Sequence, residues 1–268
     1  MEPIDWDDAF DNRGYVAGWE EVPPRWAAAA EAFRERQMHD GQAVLGLPYG
    51  AHLRERVDLF RPRGAPRGLV VFVHGGYWRA FDRTDFSHLA AGALGRGWAV
   101  AVPGYVLCPE GSVPAIGRQV ARAVEHVAAL VRGPIRLVGH SAGGQVVARL
   151  VAEHSPLVPS LMRRIARVVS ISGIHDLVPL VGTSINDDLR LGEPIARAES
   201  PARLARETGA PVTAWVGGDE RPEFLRQSAL LRERWGARLV VEPGRHHFDV
   251  IDALGRGGPL LDEVLDGG

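Results

Sequence analysis

The sequence predicts an α/β fold, a mostly parallel β-sheet flanked by helices. Two observations point there. Short apolar runs of strand length recur from Arg54 onward, and helix-like segments separate them. Every turn that carries chemically capable side chains directly follows one of those runs, which is where sheets of this kind bind ligands. Near-continuous Val, Ile and Leu in the runs fits strands buried on both faces, as in parallel sheets covered by helices.

The elements follow in order. Residues 1–50 contain Trp6, Trp19 and Trp26, a Pro23-Pro24 break and an alanine-rich helix near Arg25–Gln37, with no clear strand signal before Arg54. Arg54–Phe60 alternates and reads as a strand; Gly68–Val73 reads as a buried strand ending in His74-Gly75-Gly76. Phe86–Arg96 is helical and ends at glycine. Trp98–Val102 is a strand closed by Pro103-Gly104. Pro114–Val131 is a helix with proline in its first turn, where a missing N–H breaks no bond. Ile135–Val138 is a strand, and Ala142–His154 is a helix. Ile165–Ser172 is the next strand, ending at Gly173-Ile174-His175-Asp176, and residues 177–210 are broken by Pro179, Pro194 and Pro201. Pro211–Val216 is a strand, Pro222–Trp235 a helix, Ala237–Val241 the last strand and Phe248–Leu254 a final helix. With no repeat and no low-complexity linker, residues 1–268 read as one domain. Residues 1–50 are expected to form a cover over the strand ends, and 177–210 a small cap insertion.

Composition narrows the function. The chain is 46% apolar and 24% charged, ordinary for a soluble protein, and its apolar runs are far short of a membrane span. The acidic start, Met1 to Asp8, is not the pattern of a secretory signal, and a single cysteine, Cys108, allows no intrachain disulfide; both fit a cytoplasmic location. A net charge of −2 with scattered arginines argues against nucleic acid or an anionic membrane as partner. All 31 basic residues are arginine, which rules out Schiff-base, Walker-loop and Ser-Lys chemistry. The histidines show no metal-ligand spacing and no dinucleotide loop is present, so no metal or cofactor is expected. Homodimerisation is compatible with the sequence but not specified by it.

Gly139-His140-Ser141-Ala142-Gly143 lies between a strand and a helix, the context of a nucleophile elbow. Glycines two residues either side of Ser141 remove Cβ atoms that would crowd so tight a turn. A serine nucleophile needs a base, an orienting acid and an oxyanion hole. The base is His246 or His247, after the last strand. Asp219, after the strand that follows the insertion, is the expected acid, with its neighbour Glu220 expected to point elsewhere. Asp176 competes from the preceding strand end, or else caps the start of the insertion. His74-Gly75-Gly76-Tyr77-Trp78 occupies the place of an HGGG-type oxyanion loop. By position Gly76 and Tyr77 donate N–H groups, Gly75 is the alternative and Ala142 the third donor. Trp78 beside this loop could stack on an aryl group or pack beneath the loop, and Arg79 and Arg83 read as surface cations.

Taken together these residues resemble the arylformamidase (kynurenine formamidase) branch of the α/β-hydrolases, within the wider esterase and lipase group. His74-Gly75-Gly76-Tyr77-Trp78 is similar to the family's HGG-x-W loop, and the elbow matches. Ser172 to Leu180 resembles its SG-x-x-DL-x-PL segment, and Ser184 to Asp187 with Ser200-Pro201 resembles its cap region. Gly218-Asp219-Glu220 and His247-Phe248 resemble its acid and base motifs, which selects His247 as base. Phe10-Asp11-Asn12-Arg13 is similar to an N-terminal YNNR-like element, with Phe10 in place of Tyr, and His175 stands where an aromatic is expected. The resemblance implies hydrolysis of N-formyl-L-kynurenine to kynurenine and formate through an acyl-serine, without cofactor, with Trp78 and His175 at the substrate. The same machinery would serve a carboxylesterase acting on small acyl or aryl esters.

Overall fold

The computed structural model describes residues 4–266. Its core is an eight-stranded sheet: β1 (Ala43–Pro48), β2 (Arg56–Phe60), β3 (Leu69–Val73), β4 (Ala99–Pro103), β5 (Ile135–His140), β6 (Ile165–Ile171), β7 (Val212–Gly217) and β8 (Arg238–Glu242). Their spatial order is β1-β2-β4-β3-β5-β6-β7-β8. β2 runs antiparallel to β1 and β4, and every other pairing is parallel.

Twelve α-helices are described: α1 (Trp6–Phe10), α2 (Asn12–Tyr15), α3 (Val22–His39), α4 (Ala91–Gly95), α5 (Val113–Leu130), α6 (Ala142–Arg149), α7 (Pro159–Met162), α8 (Asn186–Leu189), α9 (Glu193–Ala198), α10 (Pro222–Trp235), α11 (Ala253–Arg256) and α12 (Pro259–Leu265). The period of two along each strand divides their side chains between two apolar layers. Leu69, Val71 and Val73 of β3 face α5 and α6, in one apolar cluster with Ile116 and Val146. Val70 and Phe72 face the other way, toward Trp26 and Phe33 of α3 and Leu260 of α12. No described helix is long and apolar enough to cross a membrane.

Local chemistry sets the helix ends. Ser112 caps α5, its Oγ accepting from Ala115 N–H, while α10 opens on Pro222 and closes on Gly236 at φ 63°. Several elements differ from the sequence expectation. β1 was not foreseen: it is an edge strand, bulged between Val44 and Leu47, and Gly46 N–H there donates to Asp58 Oδ1 (2.8 Å) rather than into the ladder. The segment expected as one helix over Phe86–Arg96 is 3₁₀ through Ser87–Ala90 and α only over Ala91–Gly95; at Gly92 the backbone of Leu254 comes so near that a Cβ would sit 2.3 Å from its carbonyl. α6 stops at Arg149 rather than His154, because Ala152 bridges to Arg206 and draws the chain off the helix axis. The helix expected over Phe248–Leu254 is α-helical only at its end, where α11 begins, and a further helix that was not expected, α12, follows Gly257-Gly258 at φ 95° and 126°.

Candidate active site

Ser141 stands on the turn between β5 and α6 with φ 54° and ψ −118°. Its N–H donates to Ile171 C=O (2.8 Å), tying the turn to the end of β6. The turn closes only without Cβ atoms: one added at Gly139 would lie 2.1 Å from Gly143 O, and one at Gly143 2.1 Å from Val73 O. Both obstacles are backbone and cannot move aside. A non-glycine residue at this positive φ and negative ψ is strained, and such strain persists only where the surroundings hold it.

The loop after β3 comes up beside this turn. A Cβ on Gly75 would be 2.9 Å from the Cβ of Ser141. Gly76, Tyr77 and Trp78 have φ of 101°, 48° and 57°, and Gly76 C=O accepts from both Arg79 and Ala80 N–H (3.0 Å each). Among the described residues no acceptor takes the N–H of Gly76, Tyr77 or Ala142. His74 beneath the loop is stacked between Phe86 and Tyr105 (centroids 5.6 and 4.3 Å), and burial pushes its pKa down to about 4. It is therefore a neutral ring that supports the loop.

His247 follows β8 and is almost fully buried, with its ring 4.5 Å from Phe224 and 4.8 Å from His140. Its Nδ1–H donates to Glu220 Oε2 at 2.7 Å. The other oxygen, Oε1, accepts from Ser172 Oγ–H (2.5 Å) and Gly217 N–H (2.8 Å). The Glu220 side chain has no solvent exposure. The contact expected of Asp219 is thus made by Glu220 instead. Asp219 is exposed, and only its backbone is engaged here, donating N–H to Arg245 C=O (2.9 Å). The turn after β7 thus sends the second of the two adjacent carboxylates inward. Asp176 is also elsewhere: it pairs with Arg203 (2.9 Å to each oxygen) and accepts from Val178 N–H, a turn-capping role. Burial works to raise its pKa, but Arg203 and the capping bond hold it below the usual carboxylate range.

His246 shapes the loop, its Nδ1 accepting from Phe248 N–H (3.1 Å). His140 Nε2–H donates to His247 C=O (2.8 Å), and burial with the neighbouring His247 drives the His140 pKa well down, so it stays neutral.

Ser141, His140, His247, Gly75, Gly76 and Tyr77 all line one cavity of about 440 Å³. Its walls are aromatic: Phe10, Trp19, Trp26, Phe81, Phe86 and Phe248. Asp7, Asp8, Asp11, Arg13 and Arg79 supply charge. Nine of the 22 lining residues come from the first 26 of the chain, while Ser184 and Ile185 represent the 177–210 segment. Of the three early tryptophans, Trp19 and Trp26 were the available sequence signal for this wall, though not for its position.

Two residues expected at the substrate do not line the cavity. Trp78 is fully buried, and its Nε1–H donates to Gln145 Oε1 (3.2 Å), fastening the loop to α6. His175 is fully buried between Ser170 Oγ and Gln227 C=O (2.9 Å each), with burial lowering its pKa to about 4. Both are packing residues, directed into the layer below the strand ends. Arg79 does line the cavity, but it is paired with Asp188 (2.7 Å); Arg83 pairs with Asp58 and Asp82.

The model of the alpha/beta hydrolase family matches residues 70–263. Kynurenine formamidase of Salmo salar is 28% identical over 86% of this chain and 83% of its own length, and that of Danio rerio 27% over 89% and 86%. A crystal structure from Silicibacter sp. tm1040, provisionally described as a thioesterase, is 46% identical, with TM-score 0.94 over 98% of this chain and 100% of that one. The esterase of Pyrobaculum calidifontis superposes with TM-score 0.65 at 18% identity, over 92% of each chain, a likeness of fold. The chain belongs to the alpha/beta hydrolase family and is a hydrolase.

Proposed function

We propose that the chain is a serine hydrolase that cleaves aryl formamides, with N-formyl-L-kynurenine as substrate and L-kynurenine and formate as products. The observation that carries this reading is the His247–Glu220 pair (2.7 Å) opening onto the aromatic cavity that Ser141 also lines. The kynurenine formamidases matched over most of the chain support the choice of substrate.

With Nδ1 held by Glu220, Nε2 is the nitrogen of His247 left to act on Ser141. Ser141 Oγ attacks the formyl carbon and its proton passes to Nε2. The oxyanion rests on the N–H groups of Gly76, Tyr77 and Ala142, with Gly75 as the alternative donor; each such donor contributes about 3 kcal/mol to the transition state. Collapse breaks the C–N bond as His247 returns the proton to the departing aryl amine. Water, deprotonated by His247, then attacks the formyl-serine; formate leaves and Ser141 regains its proton. Glu220 fixes the imidazole tautomer and stabilises the imidazolium without taking the proton. The aryl leaving group packs among Trp19, Trp26, Phe81 and Phe248, each aromatic pair worth about 1 kcal/mol beyond area burial.

The second reading is a carboxylesterase for small acyl or aryl esters, favoured by the esterase-like neighbours and by the relative described as a thioesterase. The acyl-enzyme route is common to both, so kcat/KM decides between them. N-formylkynurenine should be hydrolysed at least as efficiently as 4-nitrophenyl acetate and an acetyl thioester. A preference for either ester by several orders of magnitude would overturn the formamidase reading.

A further inference from the structure

Ser172 belongs to none of the roles assigned so far, yet it touches the acid. It is the first residue past β6, at φ 51°, and its N–H donates to Trp215 C=O of β7 (2.7 Å). Its side chain is fully buried, and Oγ–H donates to Glu220 Oε1 at 2.5 Å. The residue before it, Ile171, accepts the N–H of Ser141. Two consecutive residues at the tip of β6 therefore hold the elbow serine on one side and the acid on the other. Of the seven non-glycine residues at positive φ among those described, Tyr77, Ser141 and Ser172 all sit against this site. Strained backbone that the surroundings maintain is characteristic of functional positions.

We propose that Ser172 is a positioning residue for the reaction: with Gly217 N–H it saturates Glu220 Oε1, so that the carboxylate offers Oε2 alone to His247. This rests on the serine-hydrolase reading but not on the formamide as substrate. It also accounts for glutamate in the acid's place. The carboxylate must reach past the turn at Gly217 to contact the β6 tip and the His247 loop together, and the longer side chain spans both. A hydroxyl donor is needed because water is excluded from this fully buried carboxylate.

The experiment compares Ser172→Ala in the wild-type and Glu220→Gln backgrounds, with 4-nitrophenyl acetate and N-formylkynurenine as substrates. Alanine at the same positive φ carries the same backbone constraint and removes only the hydroxyl. The expected result is a fall in kcat of about 10-fold with KM unchanged, because the lost bond orients the base rather than the substrate. In the Glu220→Gln background the same substitution should cost under 2-fold, since the group it orients has already lost its function. An unchanged kcat, or an equal loss in both backgrounds, overturns the proposal. If Ser172→Ala does not fold, Ser172→Gly, whose backbone is at ease at φ 51°, is read by the same criteria. Turnover of the ester alone would refute the formamide reading and leave the Ser172 comparison readable.

Discussion

Glu220 and Asp219 are adjacent carboxylates, and only the buried one reaches the imidazole. Glu220→Gln keeps the shape but lets the side-chain amide present N–H to His247 Nδ1, favouring the wrong tautomer. The expected fall in kcat/KM is about 10³- to 10⁴-fold, against less than 3-fold for Asp219→Asn. A larger loss at Asp219 would reverse the assignment made from geometry. The proposed order serine, acid, histidine along the chain is legible in the sequence because each lies on a turn after a parallel strand. Which of two neighbouring acids turns inward is not legible. It depends on the exit of the chain at Gly217, where an added Cβ would lie 2.2 Å from Arg245 O, and on the Ser172 hydroxyl waiting 48 residues upstream. Trp78 fails for a related reason. A tryptophan beside an oxyanion loop suits an aryl ligand and a buried packing role equally, and its φ of 57° turns it toward Gln145.

The N-terminal helices act at the level of elements. α1 and α2 are too short to be stable alone, so contacts must hold them over the cavity. Asp8 pairs with Arg221 (2.8 and 2.9 Å), Asp7 accepts from Ser184 N–H and Oγ–H (2.8 and 2.6 Å), and Tyr77 Oη–H donates to Phe10 C=O (2.5 Å). Burial raises the Tyr77 pKa far above the phenol range, so it donates at any working pH. The third contact ties the cover to the proposed oxyanion loop itself. Tyr77→Phe should raise KM several-fold and speed limited proteolysis within residues 4–20; unchanged KM with unchanged cleavage would show that the other two contacts suffice. The sequence reveals α3, α5, α10 and the elbow through period and caps. It conceals α1, α2 and β1, whose few residues are ordered by partners far along the chain rather than by local pattern.

At the scale of the whole molecule, two apolar layers enclose the sheet and hold several histidines within them. His74 and His175 are fully buried, and burial brings each pKa from 6.5 to about 4; His140 is lowered in the same sense. The unfolded chain would bind protons at these rings from about pH 6.5 downward, whereas the folded chain resists until about pH 4. Stability therefore rises with pH across that window and is lost as pH falls through it. Each unit of pH below 6.5 costs about 1.4 kcal/mol per ring, so by pH 5 His74 and His175 each subtract about 2 kcal/mol. Set against a total of about 5–15 kcal/mol for a typical domain, that loss is large. Asp82 and Asp176 are held below the usual carboxylate range, so their contribution declines only in more acidic solution. The urea midpoint should accordingly fall clearly between pH 7.5 and pH 5.0, while the slope of free energy against urea stays constant. A midpoint unchanged over that interval would mean that the rings exchange protons freely in the folded state, and the stacked, water-excluded setting of His74 between Phe86 and Tyr105 would then be wrong.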